Sequence, residues 1–137
     1  MRTAIDANII SSIWSGEPTA EMVIEQLGTA KQEGALLLSP FAFAELHAHP
    51  NVGTDFIRPF LVTTGIVVDF KLEERVWAES GLRFARYAAR RRRSLGEGPS
   101  RMLADFLIGA HALVQADRLL TLDQTRYRQD FPELVLL

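Results

Sequence analysis

The chain has no cysteine. That absence removes disulfides, thiolate metal sites and cysteine nucleophiles together. It fits a reducing compartment such as the cytoplasm. No apolar run approaches the ~20 residues of a membrane span. The opening Met1-Arg2-Thr3-Ala4-Ile5-Asp6 lacks the long apolar stretch of a secretory signal. A cytoplasmic protein without a membrane anchor is expected. Internal repeats and low-complexity linkers are also missing, so one domain over residues 1–137 is expected. At 137 residues, 47% hydrophobic and 23% charged, the composition is that of a globular domain and not of a disordered chain. A chain of this length hides about 70% of its unfolded surface and needs no staple.

The near-neutral net charge of −2 conceals an asymmetry. Six of the 15 basic residues fall between Arg83 and Arg93 with no acid among them. The nine that remain face 17 acids. An acidic body therefore carries one concentrated basic patch. Lysine is confined to Lys31 and Lys71, a bias read as genomic.

The pattern alternates strands with helices. Residues 2–5 read as a strand ending at Asp6, and Ala7 to Trp14 as a short helix closed by Ser15-Gly16. A helix from Pro18 to about Glu33 stops at Gly34. Ala35-Leu36-Leu37-Leu38 suits a strand buried on both faces. Ser39-Pro40 starts a helix that stops before Pro50. Residues 54–62 read as a helix, Gly65 to Phe70 as a strand and Leu72 to Arg93 as a long helix. Ser100 is expected to cap the next helix, ending near Ala116. Arg118 to Leu122 is a further clear strand, residues after it a short helix, and Leu134 to Leu137 a last strand. This order predicts an α/β fold, a three-layer α/β/α sandwich with a mostly parallel central sheet. Ligands of such sheets bind beyond the carboxyl ends of the strands.

Four acids stand where that rule points. Asp6 ends the first strand and Asp123 follows Leu119-Leu120-Thr121-Leu122, so both project to one sheet edge. Glu45 lies in the helix after the second strand. Asp105 shares a helical face with Gly109 and Ala112, whose small side chains leave room beside it. Acids at strand ends and in first helical turns often only cap helices. Glu45 and Asp105 are expected to lie beyond capping positions, inside apolar helices, which weakens that account. Two unit charges ~4 Å apart repel by about 4 kcal/mol at an effective dielectric of 20. No base within these four motifs offsets such repulsion, whereas a divalent cation would. Carboxylate oxygens are hard ligands suited to Mg²⁺ or Mn²⁺.

Asp6-Ala7-Asn8 after a strand, Glu45 in Phe-Ala-Glu-Leu, Asp105 in Ala-Asp-Phe-Leu-Ile-Gly-Ala-His-Ala and Thr121-Leu122-Asp123 together resemble the PIN domain. The size and element order resemble its VapC-type toxins of toxin–antitoxin pairs. The resemblance spans nearly the whole chain, apart from the segment from Pro50 to Phe60 and the arginine run. It implies a PIN-like fold and a metal-dependent ribonuclease acting on RNA with Mg²⁺ or Mn²⁺. Asp6, Glu45, Asp105 and Asp123 would be its acidic quartet, with Asn8 and Thr121 as polar support. Asp6 and Asp105 would hold the main ion, while Glu45 and Asp123 would bind through water or act on the nucleophile. It further implies a cognate antitoxin as partner and a homodimer.

Arg83, Arg86, Arg90 and Arg93 fall within about 80° of one helical face. Arg91 and Arg92 widen that patch, while Trp77, Phe84 and Ala88 are expected in the core. A solvated face that favours the helix dipole is the plain account. Binding of the RNA backbone is the sharper one, because a dense one-signed run on an acidic body would draw phosphates toward a repellent pocket. His47 and His49 lie two apart on a helix and His111 six past Asp105, so none shares a face with a second ligand. The apolar stretch Ile9, Ile10, Ile13 and Trp14 is either core or a surface for a partner. A catalytically silent PIN-fold module holding RNA or protein through the arginine helix is the alternative. Receiver-type phosphoacceptor and dehalogenase-like readings fail for want of a well-placed lysine and of a second Asp at Asn8.

Overall fold

The computed structural model describes residues 1–98 and 100–137. Pro99, assigned to a loop above, lies outside the described residues. Four parallel strands, β1 (Arg2–Ile5), β2 (Ala35–Leu38), β3 (Ile66–Val68) and β4 (Arg118–Leu120), form one sheet in the order β3-β2-β1-β4. Around them run α1 (Ala7–Trp14), α2 (Ala20–Glu33), α3 (Pro40–Leu46), α4 (Thr54–Thr64), α5 (Glu74–Arg93), α6 (Leu103–Gln115) and α7 (Gln124–Asp130). Successive residues of a strand face opposite sides of the sheet. Thr3, Ala4 and Ile5 are all buried, as are all three residues of β4, so both faces are covered. The α/β fold with a parallel central sheet is as expected. The order reverses beside β1, which places the topological switch at the carboxyl ends of β1 and its two neighbours.

Local chemistry accounts for most boundaries. Ser39 caps α3, its hydroxyl accepting the Ala42 N–H at 3.1 Å, and Pro40 takes the first helical position. Gly34 ends α2 where the chain passes so close to Met1 that a Cβ would lie 1.8 Å from its carbonyl oxygen. Ile9 and Ile10 on α1 are fully buried with Leu36, Leu38, Leu119 and Phe106, so that part of the apolar stretch is core. Ile13 and Trp14 are half-buried; Trp14 packs edge-on against Phe60 at 5.2 Å and His49 at 5.5 Å.

Several boundaries differ from the expectation. Residues 134–137 form no strand but a single parallel bridge, Leu119 to Leu136, along the free edge of β4. Ser100 does not cap α6, whose first residue is Leu103 and whose cap position is Met102. Helix α4 runs two residues further than expected, through Pro59. Trp77 is half exposed instead of buried, packing edge-on against Phe41 at 5.5 Å. His47 is the C-cap of α3 and His49 lies beyond it, so the two do not share a helix.

Candidate active site

Asp6 leaves β1 at its carboxyl end with its side chain buried. Its Oδ2 accepts two hydrogen bonds, from the Thr121 hydroxyl at 2.8 Å and the Tyr127 hydroxyl at 3.0 Å. Burial raises the Asp6 carboxyl above its ordinary value, and those two donors, the Ala7 N–H and the Arg126 charge only partly offset it. Thr121 thus holds the Asp6 carboxylate directly. Asn8 braces the same turn: its amide donates to the Thr121 hydroxyl at 3.4 Å and its carbonyl accepts from the Leu122 N–H at 3.2 Å.

Glu45 projects from α3 into a cleft of about 350 Å³ lined by Ala7, Asn8, Ser11, Leu46 and His49. Desolvation raises its carboxyl, and the negative charges of Asp6 and Asp105 add to the rise. These three acids therefore feel one another, as their convergence requires. His49 is engaged elsewhere, pairing with the Ser15 hydroxyl at 2.9 Å and accepting from the Asn51 N–H at 3.1 Å.

Asp105 differs from the sequence expectation in one respect. Asp105 sits at the third helical position of α6 and accepts the Met102 N–H at 3.1 Å, so it does cap its helix. Asp123 caps α7, accepting the Arg126 N–H at 3.3 Å. Capping uses only part of each carboxylate. Arg126 engages both: its Nη1 donates to Asp105 Oδ1 at 2.9 Å, and its Nη2 stands 3.1 Å from Asp123 Oδ2. Asp105, Asp123 and Asp6 in turn favour its charged form. The sequence motifs lacked this base because it comes from the next turn of chain. Arg126 thus pairs with Asp105 and Asp123 at the carboxyl edge, and its charge is felt by Asp6 and Glu45.

Two residues of the site escaped the sequence reading, Arg126 and Tyr127. The spacing of Arg126 three residues after Asp123 was a legible signal, since such pairs meet on a helix. Tyr127 reaches Asp6 across 121 positions, and nothing local announces that contact. Its hydroxyl is held as a donor, because burial and the Asp6 charge raise its pKa far above the ordinary value.

The room foreseen beside Asp105 is already filled. A Cβ on Gly109 would lie 2.5 Å from the Phe131 ring, so the glycine admits a core aromatic and no ligand. His111 is buried and bonded through Nε2 to Asp69 Oδ2 at 3.0 Å, away from the acids.

The arginine patch separates into two kinds of residue. Arg83 was expected on the phosphate-binding face, but it is 9% exposed. It pairs with Glu79 and Glu133, donates to the Asp130 carbonyl at 2.8 Å and lies 4.6 Å from the Phe131 ring centre. It is a structural pin. Arg90 pairs with buried Asp130, and Arg91 donates to the Gly98 carbonyl at 2.9 Å. Both still line a pocket of about 230 Å³ with Tyr87, Arg101 and Gln129. Arg86, Arg92 and Arg93 are exposed. Arg101 also adjoins Asp105, Arg126 and Tyr127, so the basic pocket abuts the acidic centre.

Among the described residues, no three His, Asp or Glu side chains stand close enough to share a metal as they are placed. Mg²⁺ does not need three, because it keeps several waters and binds through one or two carboxylates. The donors present are hard oxygens, and a cation already lies between two of them. On both grounds the residues fit a divalent ion.

The family model for the PIN domain matches residues 3–132. The chain belongs to the PIN domain family. PIN domains are generally nucleases. Comparison with curated proteins finds no match. Among solved structures, this PIN domain is similar to VapBC-1 from nontypeable Haemophilus influenzae, with a TM-score of 0.67 and 20% identity over 100% of this chain and 97% of that one. It is also similar to VapBC2 from Rickettsia felis bound to a DNA fragment from their promoter, with a TM-score of 0.65 and 16% identity over 100% and 98%. These likenesses concern the fold. Among the described residues no helix is long and apolar enough to cross a membrane.

Proposed function

We propose that this PIN domain is a metal-dependent endoribonuclease, the VapC-type toxin of a type II toxin–antitoxin pair. The observation that carries the reading is the placing of four carboxylates within electrostatic reach of Arg126, at the sheet switch point of a PIN fold and beside a basic pocket. Asp6 and Asp105 would hold Mg²⁺ or Mn²⁺, with Asp123 and Glu45 acting through water. A bound ion would supply a water of lowered pKa and neutralise charge at the phosphodiester. Thr121 and Tyr127 fix the Asp6 carboxylate by bonding its Oδ2. Glu45, with its raised carboxyl, is suited to accept the proton of the attacking water. Arg86, Arg90, Arg91, Arg92 and Arg93 would hold the RNA backbone, a contact that carries little sequence information. A cognate antitoxin belongs to the same reading, supported by the likeness to the two VapBC structures, and a homodimer and a cytoplasmic setting are proposed with it.

One observation favours the silent-module alternative. Arg126 neutralises two of the four acids without any metal. Cleavage separates the two readings. Structured RNA incubated with the purified protein should be cut with Mn²⁺, spared in EDTA and spared by Asp105→Asn. Cutting by Asp105→Asn at the wild-type rate would undo the assignment, since a contaminating nuclease would give the same result.

A further inference from the structure

Arg126 lies in the first turn of α7, between the Asp123 cap and Tyr127. One guanidinium spans two helices, through Asp105 of α6 and Asp123 at the start of α7. Its charge also reaches Asp6 and Glu45. Its side chain is 36% exposed, so a path to solvent is open. Carboxylates gathered as these are would repel one another without a cation among them. The guanidinium binds the oxygens that an ion of the proposed nuclease would need. The two cations cannot both use them.

We propose that Arg126 is a tethered counter-ion, holding the place of the divalent ion in the ion-free protein and released toward solvent when that ion binds. The inference rests on the metal-dependent reading above. It explains how the acids stay assembled before the ion arrives, and it sets a cost on ion binding, because the guanidinium must first leave. An ordinary surface brace between two helices would carry no such cost. Its loss would loosen the site and leave ion affinity unchanged or weaker.

Calorimetric titration with Mn²⁺ alone separates these accounts, using the full chain as wild type, Arg126→Gln and Arg126→Lys. Arg128→Gln, on the exposed side of the same helix, removes an equal charge and serves as reference. Exchange predicts that Arg126→Gln binds Mn²⁺ about tenfold more tightly than Arg128→Gln, the factor that ~1.4 kcal/mol of lost competition represents. Arg126→Lys should stay near the wild type. A second readout does not depend on the glutamine variant folding. In the wild type, the Arg126 Nε–Hε NMR signal should shift and exchange faster with water as diamagnetic Mg²⁺ is added. Equal affinities in Arg126→Gln and Arg128→Gln, or an unmoved Arg126 signal while the Asp105 amide shifts, overturn the exchange and leave the metal reading standing. No uptake of either ion by any variant overturns both.

Discussion

The hydrogen bond from Tyr127 to Asp6 makes the sharpest prediction about how the site is built. Both residues are buried, and the bond is 3.0 Å long. Where the folded carboxyl is ionised, the acceptor is a carboxylate in a desolvated place, and the bond should contribute about 1.5–3 kcal/mol. Tyr127→Phe removes the donor without opening a cavity. In an Asp6→Asn background the acceptor is neutral, and the same deletion should cost only about 0.5–1.5 kcal/mol. The two substitutions should therefore couple by roughly 1 kcal/mol, or about 3–5 °C in midpoint for a domain of this size. The assay is a double-mutant cycle by urea unfolding at a pH above the folded value of Asp6, with equal m-values required of all four proteins. The pH dependence has a definite sign. The folded carboxyl of Asp6 is raised, so its ionisation costs stability as pH rises through the folded value. Asp6→Asn should thus be more stable than the wild type at neutral pH, and its advantage should shrink as pH falls below that value and vanish near the ordinary value of 3.8. Additivity of the two substitutions within ~0.5 kcal/mol would refute the reasoning.

Other expectations follow from the same geometry. Gly109→Ala gains up to ~1 kcal/mol of helix propensity. It must also displace the buried Phe131 ring, at about 1–3 kcal/mol, so its thermal midpoint should fall. His111 is held below its ordinary value of 6.5 because burial outweighs Asp69. The unfolded chain takes that proton first, so stability is full above pH 6.5 and declines as pH falls toward the folded value. His111→Gln should flatten the slope measured between about pH 7.5 and 5.5. Arg83→Gln should lower stability by about 1.5–3 kcal/mol through lost charge-assisted bonds while leaving the salt dependence of RNA binding unchanged. Neutralising Arg86, Arg92 and Arg93 together should instead reduce the logarithmic salt slope by up to ~2.

What was legible in the sequence follows from how each feature is encoded. Strands and helices were readable because apolar runs, Ser39-Pro40 and Gly34 are local signals. The placement of Asp6 and Asp123 at one edge was readable because a parallel sheet carries strand ends to one side, and these acids follow two of them. The partners of those acids were less so. Tyr127 meets Asp6 only through packing of α7, which no periodicity records. Arg83 follows the spacing of a solvent face, yet Glu79, Glu133 and Phe131 claim it from three directions. Helical phase gives an angle and does not say what packs there. The start of α6 was misjudged because Ser100 suits a cap by type, while the Asp105 carboxylate bonds the Met102 N–H and fixes the helix start two residues later.

The proposed chemistry needs Asp6 and Asp105 to hold one ion, with Glu45 and Asp123 reaching it through water. Crystals of the full chain soaked in Mn²⁺ and measured at the manganese edge address that directly. The prediction is one anomalous peak bonded to Asp6 or Asp105, with the Arg126 side chain turned away from Asp105. A fully soaked crystal with no peak among these carboxylates, at a Mn²⁺ concentration that saturates RNA cleavage, would contradict it.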